Sequence, residues 1–255
     1  MRDFVTALQF LTRIHVVDQK DLTIEDFGRS VKTFPLVGLV LGLIAAGAAW
    51  LLLRCFGPVP LTAAVLTILP IVLTGGLHAD GFMDTMDGVL SCRDRARMLE
   101  IMKDSRVGSM GVAAFVCLML LDFGAVWTIA PAFLPEAVLA APIVARTAVV
   151  ASVAGFPYAR NAGMGKEFAE YATGRTVAFA FGTTLLLFVA GLLSGATSVL
   201  PFSALAIGFA AQFALARYYT RILGGLTGDV YGTLITLTET ATLLAYAVFT
   251  GPLAL

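Results

Sequence analysis

Seven long apolar runs divide the chain, at Phe34–Phe56, Val59–Leu77, Gly108–Ala130, Phe133–Phe156, Thr176–Ser194, Leu200–Tyr219 and Val230–Thr250. Each is near the ~20 residues a helix needs to cross the hydrocarbon core of a bilayer. The pattern predicts an all-α fold, a polytopic membrane bundle of about seven transmembrane helices, with residues 1–255 forming one domain. Ahead of the first run, Phe4–Ile14 mixes apolar and polar residues in helical rhythm. At about 11 residues it is too short to span, which suits an interfacial helix in an N-terminal segment over residues 1–33. An ordinary packed N-terminal helix accounts for it equally well. Met1–Lys32 is too polar for the apolar core of a signal peptide.

Composition agrees with the pattern. Of 255 residues, 58% are hydrophobic and 13% charged, against about 25% charged in a soluble domain, and the mean hydropathy is +0.89. With 17 basic and 17 acidic residues the net charge is zero, so bulk nucleic-acid binding has no electrostatic support. Cys55, Cys92 and Cys117 show no metal or disulfide spacing and are expected to be buried thiols. Gly38, Gly42 and Gly47 are expected to form a close-packing face on the first span.

Charge also orients the bundle. From the N-terminus onward, Lys and Arg in successive non-spanning segments number 5, 0, 5, 0, 3, 0, 2 and 0. Basic loops stay in the cytoplasm. The N-terminus and all three polar inter-helix loops are therefore expected on the cytoplasmic face, and the C-terminus outside. The opposite face has only short turns. Function is expected in the charged loops.

The richest stretch is Thr74–Gly111, with a candidate catalytic loop over residues 78–107. Asp80, Asp84 and Asp87 are spaced i, i+4, i+7, within about 60° of one another on a helix. Like charges ~6 Å apart repel by roughly 3 kcal/mol per pair at an effective dielectric of 20. A divalent cation turns that cost into a hard-oxygen site of the kind that suits Mg²⁺ and substrate phosphates. A solvated acidic face, or Asp80 as a helix cap, is the plain alternative. Phe82, Met86 and Val89 on the opposite face anchor the helix in protein. His78, just before it, is a candidate base, phosphate contact or partner to an aspartate. Among the cations that follow, Arg95 and Arg97 read as a salt-bridged face, and Arg93 sits beside them. In Lys103-Asp104-Ser105-Arg106, then Gly108 and Gly111, basic residues meet the start of a helix, where free N–H groups favour phosphate.

The other charged loops add less. Arg160, Gly163, Gly165 and Lys166 make a basic, flexible turn. Gly224, Gly225, Gly228 and Gly232 surround Thr227 and Asp229; Asp229 is either part of the metal shell, a contact to a substrate hydroxyl or the cap of the last span. Asp122, Arg146 and Glu239 fall inside spans, at a cost of ~2.5–3.5 kcal/mol each at mid-bilayer. Arg146 is expected to pair with Asp122 or Glu239, and Glu239 to reach a deep substrate pocket.

Three runs together resemble a known family. They are Gly75-Gly76-Leu77-His78-x-Asp80-Gly81-x-x-Asp84-x-x-Asp87-Gly88, then Glu100 to Gly108 around Lys103-Asp104-Ser105-Arg106, and Gly224-Gly225-Leu226-Thr227-Gly228-Asp229 followed by Gly232 and Glu239. Phe34-Pro35-Leu36-Val37-Gly38 opens the first span in the same manner. The chain is similar along nearly its whole length to the cobalamin synthase (adenosylcobinamide-GDP ribazoletransferase) family. It departs from the family at His15 and Asn161, where the family has proline. The resemblance implies a Mg²⁺-dependent transferase of the bacterial inner membrane. It implies adenosylcobinamide-GDP and α-ribazole, or its 5′-phosphate, as substrates, with GMP released. It implies metal at Asp80, Asp84 and Asp87, catalysis at His78, Asp84 and Asp229, and substrate contacts at Arg93, Lys103, Asp104, Ser105, Arg106, Gly108, Arg160, Thr227 and Glu239. Self-association, or association with other cobalamin-assembly enzymes, stays open. The rival classes are another Mg²⁺-dependent membrane transferase using CDP-alcohol or prenyl-diphosphate donors, and a transporter.

Overall fold

The computed structural model describes residues 1–19 and 22–251 of the chain; Lys20, counted among the N-terminal cations, lies outside them. Among the described residues there are twelve α-helices and no strand. They are α1 (Arg2–Leu11), α2 (Ile24–Ser30), α3 (Phe34–Cys55), α4 (Pro60–Thr74), α5 (Leu77–Leu90), α6 (Arg95–Ile101), α7 (Ser109–Thr128), α8 (Leu134–Gly155), α9 (Met164–Tyr171), α10 (Gly174–Leu193), α11 (Leu200–Leu223) and α12 (Gly228–Thr250). A 3₁₀ turn, Val31–Thr33, joins α2 to α3.

Local chemistry sets the boundaries. Proline stands in the first turn of α3, α4, α8 and α11, where its missing N–H is not needed. Thr23 and Thr173 close capping boxes on α2 and α10, and Thr227 caps α12. Such caps are worth about 1 kcal/mol each. Left-handed Gly75 and Gly224 stop α4 and α11, since glycine takes that conformation without a Cβ penalty.

Six helices are long and apolar enough to cross a membrane: α3, α7, α8, α10, α11 and α12. The chain is a multi-pass membrane protein. The seventh expected span differs. The apolar run Val59–Leu77 breaks at Gly75 and Gly76, both with positive φ. Only the 15 residues of α4 rise through the bundle, and α5 turns 94° away. We therefore count α5 outside the spanning segments.

The core centres on α8, buried on almost every side. Gly38 and Gly42 of α3 lie directly on its backbone: a Cβ on Gly38 would come 2.8 Å from Cα of Ile143. Gly47 faces open space and is no part of that contact. Within the bundle Arg146 is fully buried and pairs with Glu239, one of its two expected partners. Pairing offsets the cost of a charge in this setting. Asp122 stands apart, with Oδ1 unpartnered. The cysteines correct the sequence reading: Cys55, Cys92 and Cys117 are all exposed. For Cys55 and Cys117, an apolar run shows that a helix is in the membrane but not which of its faces meets lipid; Cys92 lies in the turn between α5 and α6.

Candidate active site

The two-glycine break places α5. The Arg13 backbone N–H donates to Leu73 O at 2.8 Å, and the Arg13 side chain packs over Gly75, leaving no room there for a Cβ. From this turn α5 runs across the first turns of α12 and α7. It meets α12 at Gly81, where a Cβ would come 2.8 Å from the carbonyl oxygen of Asp229. Thr233 Oγ1 donates to Gly81 O at 3.1 Å and fastens the crossing. Asp80 is thus inside α5 rather than its cap, which is Gly76. Phe82 is buried on the opposite face.

Asp87 is held at the start of α7. The N–H of Gly108 donates to its Oδ2 at 2.6 Å and that of Gly111 to its Oδ1 at 2.7 Å. A carboxylate there satisfies free helix-start N–H groups and meets the positive end of the dipole. Two of the helix-start N–H groups, those of Gly108 and Gly111, are therefore engaged by the protein itself. Each Asp87 oxygen keeps a second lone pair.

Asp229 comes from the opposite side. The left-handed turn at Gly224 and Gly225 brings Leu226 beside residues 157–159, with Leu226 N donating to Pro157 O and Ala159 N to Leu226 O, both at 2.8 Å. This sets Arg160 Nη1 2.8 Å from Asp229 Oδ2. Thr227, fully buried, donates to Asp229 Oδ2 at 3.3 Å while capping α12. The carboxyl of Asp84 is pushed up to about 7, chiefly by burial, then by Asp80, Asp229 and Asp87, with Arg160 opposing. Burial likewise pushes the Tyr158 phenol up. Among the described residues no three carboxylate, His or Cys side chains converge tightly enough to hold a metal ion unaided.

A cavity of about 390 Å³ opens beside this cluster. Asp80, Lys103, Arg160 and Asp229 line its polar part; Phe10, Phe34, Phe168, Tyr158 and Tyr231 line the rest. His78 is buried in its wall and also lines a smaller cavity of about 80 Å³ inside the bundle, with Asp122, Arg146 and Glu239. His78 Nδ1 is 3.4 Å from Arg146 Nη2, and Nε2 has no partner.

The structure thus gathers His78, Asp80, Lys103, Arg160 and Asp229 on one cavity. Glu239 reaches it only through Arg146 and His78. Arg93 and Ser105 are exposed and outside the lining. Arg106 donates to Asp104 at 2.7 and 3.0 Å, an exposed pair that holds the Asp104 carboxyl down at about 2. Arg95 has a structural place, its Nε donating to Leu223 O at 2.6 Å. The aromatic wall was absent from the sequence reading. Phe10 and Phe168 read there as ordinary apolar positions. Tyr158 lies two residues before Arg160 and Tyr231 two residues after Asp229, beside runs already singled out.

The model of the family described as cobalamin-5-phosphate synthase matches residues 3–247. The chain belongs to this family. A curated relative from Clostridium acetobutylicum, "Adenosylcobinamide-GDP ribazoletransferase", is 36% identical over 249 residues, covering 97% of this chain and 96% of its own. One of the same name from Desulfitobacterium hafniense is 42% identical over 260 residues, with 96% of each chain covered. Another from Pseudomonas paraeruginosa is 40% identical over 250 residues, covering 97% and 98%. No solved structure matches the chain. Within the cobalamin-5-phosphate synthase family match lie both the aspartate stripe of α5 and the Gly224–Asp229 turn.

Proposed function

We propose that this chain transfers the adenosylcobinamide phosphate group of adenosylcobinamide-GDP to a ribose hydroxyl of α-ribazole, or of its 5′-phosphate, releasing GMP. The observation that carries the reading is the meeting of Asp80 of α5 and Asp229 with Arg160 and Lys103 over one cavity, in a chain of this family. The reaction forms a bond from the ribose oxygen to the cobinamide-side phosphorus. The bond from that phosphorus to the bridging oxygen breaks, and GMP leaves with the electron pair. Lys103 and Arg160 bind and orient the diphosphate. Asp229, on the cavity lining, is the carboxylate placed to take the hydroxyl proton. His78 is poorly placed for that task. Arg146 donates toward its Nδ1, so the neutral ring carries its proton on Nε2, and burial, then the guanidinium, opposes a second proton.

The donor chemistry fits Mg²⁺. Hard carboxylate oxygens of Asp80 and Asp84, with Asp87 beside them, match an ion that uses one or two protein carboxylates and completes its shell with water and phosphate. When bound, Mg²⁺ would neutralise the diphosphate and polarise the reacting phosphoryl group. The face carrying these groups is the basic-loop side, so the site would open to the cytoplasm of a bacterial inner membrane.

The test is GMP release by purified, detergent-solubilised protein given adenosylcobinamide-GDP, α-ribazole 5′-phosphate and Mg²⁺. Release should need both substrates and stop with EDTA. Asp84→Asn should lower the rate by on the order of a hundredfold or more. Well-folded protein that releases no GMP would rule the transferase out.

A further inference from the structure

The 390 Å³ cavity has two chemically distinct halves. One carries the charged groups of the proposed transferase. The other is aromatic. The ring of Phe168 meets Phe10 and Phe34 edge-on, with centroids 5.3 and 5.8 Å apart. Tyr158 and Tyr231 stand 6.3 Å apart, tilted at 40°. Its size is within the range of small-molecule sites, ~300–1,000 Å³.

Tyr231 is 6% exposed, and its hydroxyl is buried without a hydrogen-bond partner. His78 Nε2 and Arg160 Nε, on the same lining, are buried and unpartnered too. Nearly all buried polar atoms in folded proteins are paired. All three can donate, and Tyr231 Oη is the one set on the aromatic side, where a ligand acceptor would complete it. Flat aromatic surfaces beside them favour a planar ring.

We propose that this half binds the base of the acceptor nucleoside, with Tyr231 Oη donating to the unsubstituted ring nitrogen of a benzimidazole. The proposal rests on the transferase reading, which brings two bases to the site: the benzimidazole of ribazole and the guanine of the donor. The wall distinguishes them. A benzimidazole offers one acceptor nitrogen on an otherwise apolar bicycle. A guanine has acceptors too, but its amide N–H and amino groups would be set against phenyl rings that accept nothing, leaving polar groups buried and unpaired. The base would lie toward Phe168, with its ribose directed to the rim at Asp80 and Asp229.

The experiment measures binding alone, with the full chain in lipid nanodiscs and EDTA present. Equilibrium dialysis uses α-ribazole and the matching indole riboside, in which the ring nitrogen is replaced by C–H. The proteins are wild type and Tyr231→Phe, which removes only an oxygen that bonds nothing in the fold. α-Ribazole should bind wild type and lose about tenfold in affinity on Tyr231→Phe, as for one neutral hydrogen bond. The indole analogue should bind both proteins alike, so that protein and ligand changes are non-additive. Excess GDP should not displace α-ribazole. Failure of α-ribazole to bind, equal affinity for both proteins, or displacement by GDP would each overturn the assignment. Its failure is separable from that of the transferase reading. Wild-type GMP release with an unchanged acceptor KM in Tyr231→Phe removes the base site alone, whereas no GMP release from wild type removes the reaction.

Discussion

Asp84 and Asp87 share a helix face and have opposite surroundings. Asp87 has two backbone N–H donors; Asp84 has carboxylates for neighbours and titrates near 7. An unfolded Asp titrates near 3.9. Between those values the folded, metal-free protein holds a proton at Asp84 that the unfolded chain has released. Stability therefore falls as pH rises through that window and levels off above about 7. In EDTA, the drop in Tm from pH 5 to pH 8 should be larger for wild type than for Asp84→Asn. At pH 8 the variant should melt higher while losing turnover. Equal pH dependence in the two would show that the carboxylates are not crowded. The shared face itself was legible in the i, i+4, i+7 spacing. The division of labour along it was not, because it depends on where the start of α7 packs, and that is settled by tertiary contact.

Whole elements hold the site as tightly as any side chain. The helix α5 crosses α12 over Gly81, with no space for a methyl group. Gly81→Ala should therefore push the aspartate face away from Asp229 and Arg160 and lower GMP release more than tenfold, since displacements near 1 Å cost on the order of a hundredfold. Helical content by circular dichroism should stay unchanged, because alanine favours helix. Retained activity would mean that α5 is free to shift. The sequence made α5 visible as a carboxylate helix but merged its approach with the second apolar run. Hydropathy reports apolar character and is blind to direction; the adjacent glycines Gly75 and Gly76 were the only mark of the turn. The short helices α2 and α9 were missed for a related reason: at seven and eight residues they owe their stability to packing rather than to periodicity.

At the scale of the molecule, the bundle was legible because bilayer thickness imposes a length on every span. Loop charge predicts its orientation, and the three native cysteines test that prediction. Cys92 lies between α5 and α6 at the site end, and Cys55 ends α3 at the other; both are exposed, as is Cys117 within α7. A membrane-impermeant maleimide should label Cys92 in inverted vesicles and Cys55 in spheroplasts, and Cys117 in neither. Labelling of Cys92 from outside would reverse the topology. The broken span carries a further consequence. Fifteen residues of helix rise about 22 Å, against ~30 Å of hydrocarbon. Beside α4 the lipid must thin, or α5 must lie sunk below the headgroups. In either case the boundary between oil and water dips at this point. A water-borne substrate could then reach the carboxylates of α5 from below the level of the surrounding headgroups.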